Sequence, residues 1–258
     1  MSVDRPLEGI GIVLTRARTR GEALRGALVE RGARVIVFPC LEIAAEDPGL
    51  GGRHALASLA SVRMAVFVSA NAVEHGLAAA RAFGPWPPAV AVAAIGEATA
   101  TALREAGFAR VISPSTRFDS ESLLGLPELQ AVKDARVVIF RGVGGREDLR
   151  RSLEARGATV DYVQCYRRVR PSSDPEQVLA ALKKGEIRAV HAMSGETVDN
   201  FMVLAGEGAA EYLRELALVV PHEAISRNRA ARHFGRVIVA APDADAMQAA
   251  LLNLSMNR

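Results

Sequence analysis

Only two cysteines, Cys40 and Cys165, occur among 258 residues. They cannot build a disulfide framework, and free thiols in a reducing cytoplasm are the expectation. No apolar run is long enough to span a bilayer, and residues 1–20 lack the basic, apolar, small-residue order of a secretory signal. Lysine is scarce too: Lys133, Lys183 and Lys184 are the only three of 32 basic residues, so 29 are arginine. A GC-rich genome would produce that bias, and so would a need for planar guanidinium forks that grip carboxylate or phosphate. Composition does not separate the two. The positive excess is 32 − 29 = +3, too slight for a nucleic-acid surface over this length. What is present, 50% hydrophobic and 24% charged residues, is a globular balance. The chain is long enough for one large or two small domains. A cytoplasmic protein with neither membrane nor nucleic-acid partners is expected.

Several chemical signatures are also missing. The five histidines (His54, His75, His191, His222 and His233) show no HExxH spacing and no cysteine partners at zinc distances. Ser69 and Ser194 lack the GxSxG elbow of a hydrolase nucleophile. The stretch 141–146 (RGVGGR) reads as a strand-to-helix loop, yet Glu147 takes the third glycine position of GxGxxG and no GK[ST] follows. Nucleotide binding is excluded. An anion-binding loop and a plain flexible turn both remain open readings of that stretch.

Strand-like apolar runs recur along the chain at 10–15, 34–38, 64–68, 90–95, 136–140, 188–193, 216–220 and 236–240. Amphipathic stretches separate most of them. Residues 20–31, for example, set Ala23, Leu24, Ala27 and Leu28 on one helical face, and Gly32 stands where a helix would stop. Alternation of this kind predicts an α/β fold with parallel sheets covered by helices. Ser69 and Ser194 follow strands and open helical stretches, which suits helix N-caps at the ligand-binding end of such sheets.

The two halves repeat each other. Arg16/Arg141, Gly32/Gly157, Cys40/Cys165 and Ser69/Ser194 are each 125 apart (141 − 16 = 157 − 32 = 165 − 40 = 194 − 69). ALRGALVERGARVIVFPC lies over DLRRSLEARGATVDYVQC without a gap. A fixed offset through helix, glycine and strand signals duplication. After each glycine, residues 35–43 and 160–169 read as long strands ending in polar residues, and Pro39 suits an edge or connector. These stretches could cross between domains. One domain would then comprise residues 1–37 plus 171–258 and the other 44–164, with linkers at 38–43 and 165–170. A simple split near residue 125 is an equal reading of the pattern.

FVSANAV (67–73), AAIGEATATALREAGF (93–108), the turn at 141–146 and RGATVDYVQCYRRV (156–169) together resemble the uroporphyrinogen-III synthase family, as does the opening IVLTRARTRGEALRGALVERGARVIVFP. The resemblance covers nearly the whole chain. It implies a monomeric enzyme of two similar flavodoxin-like domains joined by two linker strands. Its substrate would be hydroxymethylbilane, a linear tetrapyrrole polycarboxylate. The family removes the hydroxyl group, inverts ring D and closes the macrocycle without a cofactor or metal. Transient contact with the bilane-forming enzyme would protect the unstable substrate.

Residue by residue, the resemblance makes Tyr166 the catalytic phenol that assists departure of the hydroxyl. Thr99 matches the threonine of the glycine–x–x–threonine motif, and Ser69, Ala70 and Asn71 match a substrate-facing loop. Arg16, Arg141 and Arg146 are candidates for carboxylate binding, and Ser194 is the second-half counterpart of Ser69. Two segments depart from the family pattern. HAMSGETV (191–198) keeps only its serine and valine, and in VVPHEAIS (219–226) Ala224 stands where the motif has threonine. Those departures leave a second class of function open, a catalytically silent two-lobed ligand-binding or regulatory module related to the synthase.

Overall fold

A computed structural model describes residues 5–16 and 18–255; the side chains of 18–20 and 255 lie outside that description. In chain order the elements begin with β1 (Gly11–Leu14), α1 (Arg18–Glu30), β2 (Arg34–Val37), β3 (Glu42–Ala45), α2 (Gly49–Ala57), β4 (Met64–Phe67), α3 (Ala70–Arg81), β5 (Ala91–Ala94), α4 (Glu97–Glu105) and β6 (Val111–Ile112). They continue with α5 (Ser120–Leu124), α6 (Pro127–Gln130), β7 (Arg136–Gly142), α7 (Asp148–Ala155), β8 (Thr159–Val169), α8 (Glu176–Lys183) and β9 (Ile187–His191). The last are α9 (Gly195–Ala205), α10 (Ala210–Leu213), β10 (Ala217–Val220), α11 (Glu223–Ser226), β11 (Arg236–Val239) and α12 (Ala244–Ser255). The fold class is α/β.

The chain forms two compact units, one of Met1–Glu42 with Val169–Arg258 and one of Ile43–Arg168. In the first unit the sheet order is β11-β10-β9-β1-β2 and every pairing is parallel. Alternate residues of its strands feed two cores. Val13, Ile36, Val190 and Leu218 meet α8 and α9 on one face, while Ile12, Leu14, Ala189 and Val219 meet α1 and α12 on the other. In the second unit the order is β3-β8-β7-β4-β5-β6. Ala65, Phe67, Val138 and Phe140 face α2, α3 and α4, and Met64, Val66, Val137 and Ile139 face α5, α6 and α7.

The strand pairing explains the repeat. Gly11 pairs with Arg34 as Arg136 pairs with Thr159, and Ile12 pairs with Ala189 as Val137 pairs with Met64. Each correspondence keeps the 125-residue offset (136 − 11 = 159 − 34 = 137 − 12 = 189 − 64). β7, β8, β4, β5 and β6 therefore match β1, β2, β9, β10 and β11 in order. The second unit is a circularly permuted version of the first. Each half of the sequence gives its opening strand–helix–strand to one unit and its later strands to the other.

The helix stops are equivalent as well. Gly32 and Gly157 have φ of +93° and +86°. Behind them the N–H of Ala33 donates to Leu28 O and that of Ala158 to Leu153 O, the long-reach bond of a left-handed helix cap. Two local expectations need correction. Ala23 is exposed on α1, where Leu24 and Leu28 carry the buried stripe. Residues 35–43 are not one strand: β2 ends at Val37, the Phe38 and Cys40 N–H groups still bond to Leu14 O and Thr15 O, and Glu42 opens β3, which lies beside β8 in the other sheet. Pro39 lacks an N–H only on the outer side of this edge segment, where no strand pairs, so it interrupts no bond to β1. Cys40 and Cys165 are free thiols, each buried in its own unit.

Candidate active site

The second unit holds a cavity of about 790 Å³ near the carboxyl ends of its central strands, the end at which open parallel sheets bind ligands. Val68 and Ser69 after β4, Ile95 after β5, and the loop Gly142–Arg146 after β7 form part of its wall. Tyr162, Tyr166 and Arg168 come from β8, and Arg117 and Asp119 from the segment before α5.

Tyr166 reaches its place through a register shift. β7 and β8 pair regularly as far as Arg141–Gln164, after which Gly142 pairs with Tyr166 and Cys165 is the extra residue. Strict alternation would put Tyr166 on the same face as Tyr162. The bulge turns it to the face of Val163 and Cys165, where it packs in the cluster that holds Phe67 and Phe140. Tyr162 packs on the opposite core, beside Ile139 and Leu149. Tyr166 is 6% exposed and its hydroxyl lies 3.0 Å from Ser69 Oγ. Ser69 is also the N-cap of α3, its Oγ accepting the Ala72 N–H at 3.1 Å. One side chain thus opens a helix and contacts the phenol.

The 141–146 stretch is not a free turn. Arg141 is buried, and its guanidinium is held by the loop that follows it. Nη1 donates to Arg146 O at 3.2 Å and to Glu147 Oε1 at 2.9 Å, Nη2 donates to Gly144 O, and Nε reaches Gly142 O at 3.4 Å. The cation lies over the Tyr162 ring, 4.5 Å from its centroid. Tyr162 in turn donates its hydroxyl to Glu147 Oε2 at 2.8 Å. Burial, reinforced by that bond, pushes the Tyr162 phenol up to about 12. The Glu147 carboxyl is held below its ordinary range, first by Tyr162 and then by Arg141.

The site residues expected from sequence are distributed unevenly. Ser69, Arg141, Arg146 and Tyr166 share the cavity wall. Ala70 and Asn71 form the first turn of α3, directly after Ser69. Thr99 is buried in the first turn of α4 and is not part of the wall. Arg16 and Ser194 belong to the first unit, at the positions equivalent to Arg141 and Ser69. Ser194 caps α9 and pairs with Thr197 Oγ1 at 2.8 Å. Sequence reasoning missed Tyr162, Glu147, Arg117 and Arg168. The signal for Tyr162 was its place four residues before Tyr166, but only the bulge shows that the two rings lie on opposite faces.

The wall carries four guanidiniums (Arg117, Arg141, Arg146, Arg168) against three carboxylates (Asp119, Glu121, Asp148), an excess of 4 − 3 = +1. Charge alone therefore selects anions only weakly here. Among the described residues no cluster of three or more His, Cys, Asp or Glu is placed to hold a metal ion, and no helix is long and apolar enough to cross a membrane.

The family model described as Uroporphyrinogen-III synthase HemD matches residues 22–249. The chain belongs to the uroporphyrinogen-III synthase family. It is 35% identical over 216 residues to the uroporphyrinogen-III synthase of Salmonella typhimurium, covering 82% of this chain and 87% of that one. To the Escherichia coli enzyme it is 31% identical over 222 residues, covering 84% and 89%. Two solved structures share the fold at low identity. A mutant uroporphyrinogen III synthase from the extremely thermophilic bacterium Thermus thermophilus has a TM-score of 0.58 and 19% identity, with 96% of this chain and all of that one (100%) covered. The Helicobacter pylori synthetase also has a TM-score of 0.58, with 13% identity and coverage of 95% and 99%.

Proposed function

We propose that this protein cyclises hydroxymethylbilane to uroporphyrinogen III, with loss of water and inversion of ring D, and that the cavity beside Tyr166 carries the chemistry. The reading rests on family membership together with one observation, Tyr166 in the cavity wall with its hydroxyl within hydrogen-bond reach of Ser69. A serine hydroxyl has one proton to give and two lone pairs. Ser69 Oγ already accepts the Ala72 N–H, so its proton can go to the phenol oxygen. The Tyr166 proton is then available to the substrate.

The bilane hydroxyl leaves as water once it takes that proton, and the carbon left behind is an electrophile stabilised by its pyrrole nitrogen. Ring D attacks this carbon through its substituted position, the older bond at the resulting spiro centre breaks, the released carbon rejoins at the ring's free α-position, and the proton lost there restores the Tyr166 phenol. Without enforced geometry the chain would close head to tail and keep ring D uninverted. Orientation therefore decides the product. Arg146 and Arg117 in the wall, and the N–H groups at the start of α3 with Ala70 and Asn71, would take acetate and propionate groups. Thr99 would act from the start of α4, and Arg16 and Ser194 from the matching loops of the first unit. We further propose that the protein works as a cytoplasmic monomer and receives the bilane by transient contact with the enzyme that makes it. Freshly generated hydroxymethylbilane supplied to the purified chain, followed by oxidation and separation of uroporphyrin isomers, tests the activity. Type III product in excess is the expected result; type I in the proportion of the enzyme-free control would favour a silent binding module instead.

A further inference from the structure

We infer that Arg141 is a positioning residue that aims Tyr166, not a ligand for a substrate carboxylate; the inference rests on the synthase reading above. A guanidinium has five N–H donors. In Arg141 one on Nε, two on Nη1 and one on Nη2 are directed at Gly142 O, Arg146 O, Glu147 and Gly144 O, so four are taken by the chain itself. Its face is taken by Tyr162, and the residue is 5% exposed. A bidentate carboxylate needs two parallel donors, and only one remains.

The loop is shaped around this cation. Gly144 and Gly145 have φ of +75° and +101°, and a Cβ on Gly145 would lie 2.7 Å from Arg141 Nη2. A side chain at either glycine would be strained by the backbone conformation, and one at Gly145 would also have to displace the guanidinium. The same loop presses on Tyr166. A Cβ on Gly142 would lie 2.7 Å from Tyr166 Cε2, and the Val143 N–H donates to Tyr166 O at 2.8 Å. Arg141 thus fixes Gly142 and Val143, which hold the ring and backbone of Tyr166 just past the bulge. Glu147 and Tyr162 close the circuit: both Glu147 oxygens are engaged, one by Arg141 and one by the Tyr162 hydroxyl.

The test combines steady-state kinetics of Arg141→Lys and Tyr162→Phe with amide hydrogen exchange of the 142–147 segment. Tyr162→Phe keeps a ring under the cation and removes only the hydroxyl that holds Glu147. The expected result for Arg141→Lys is a kcat lower by about 10- to 100-fold with KM changed less than about threefold, because displacement of a catalytic group by about an ångström costs that much in rate. Tyr162→Phe should move kcat in the same sense by a smaller factor. The double variant should be no worse than Arg141→Lys, since both act through one network. Exchange of the 142–147 amides should quicken at least about tenfold in each variant while other segments keep their protection. A KM rise of about tenfold at unchanged kcat in Arg141→Lys, with Tyr162→Phe silent, would show a carboxylate ligand and overturn the inference. So would a loss of activity that follows only the unfolded fraction. Should Arg141→Lys not fold, wild-type kcat and wild-type exchange in Tyr162→Phe would overturn it. If the wild-type chain itself yields only type I product, the synthase reading has failed, and the exchange arm still decides whether the network holds the loop.

Discussion

Tyr166 offers a clean separation of chemistry from packing. Tyr166→Phe keeps the ring against Gly142 and the core while deleting the O–H that faces Ser69. General-acid assistance contributes about 10²–10⁴ in rate, so kcat should fall by roughly a hundredfold or more with little change in KM. The lost hydrogen bond should cost only about 1 kcal/mol of stability, measurable by urea denaturation. His191 makes a second prediction at this scale. It is 0% exposed on β9, and neither ring nitrogen has a partner among the described residues. Burial, helped by the nearby Arg16 cation, lowers its pKa to about 4 from 6.5. The unfolded chain therefore binds a proton between those values that the folded chain refuses. Stability from this group is full above about pH 6.5 and is lost as pH falls towards 4, by up to roughly 3 kcal/mol. His191→Leu should flatten that slope: the gap between the variant's and the wild type's urea midpoints should widen in the variant's favour from pH 7 to pH 5. A gap that stays constant with pH would contradict the assignment. The identity of Tyr166 was legible in the sequence through its surroundings, VDYVQCYRRV, but its orientation was not, because one extra residue in a ladder leaves no periodic signature.

At the scale of elements, two glycines should respond in opposite directions. Gly157 ends α7 at φ +86°, and an added Cβ would lie 3.3 Å from Lys133 Cγ. Gly157→Ala should cost about 1–2 kcal/mol through the left-handed backbone alone. Gly26 lies inside α1 with nothing within 4 Å of a built Cβ. Gly26→Ala should therefore stabilise by roughly 0.5–1 kcal/mol. Denaturation midpoints of the two variants check both signs. Elements of this kind were readable before the structure. Apolar runs marked most of the strands, because both faces of a parallel sheet are buried, although Arg188 and His191 interrupt the run in β9. The two-residue β6 and the half-exposed β3 gave no such run. The loop 141–146 was legible as a strand-to-helix connection. Its occupation by the chain's own arginine was not, since nothing in RGVGGRE distinguishes a guanidinium that reaches outward from one folded back onto its own carbonyls.

At the scale of the whole molecule, duplication and unit boundaries fall out of step. The 125-residue offset was plain in the sequence, yet a copy of the repeat is not a unit of the fold. Residues 1–125 contain β1 and β2 without β9, and β4 to β6 without β7. Each partial sheet lacks the strand that lies at its centre, so this fragment should remain unfolded. Residues 43–168 contain one contiguous sheet with both of its cores. That fragment should unfold cooperatively on its own, as judged by circular dichroism and urea titration. The reverse outcome for the two fragments would contradict the circularly permuted assembly.

If the Tyr166 cavity both expels the bilane hydroxyl and dictates which way ring D closes, the product isomers will carry the mark of both. The most direct measurement is the uroporphyrin isomer ratio formed from hydroxymethylbilane by the wild-type chain and by Tyr166→Phe in parallel, each at several enzyme concentrations. The wild type should give type III in large excess, and Tyr166→Phe should approach type III more slowly and leave more bilane to close spontaneously to type I. Type I throughout, or a Tyr166→Phe variant as fast and as selective as the wild type, would contradict that role for the cavity.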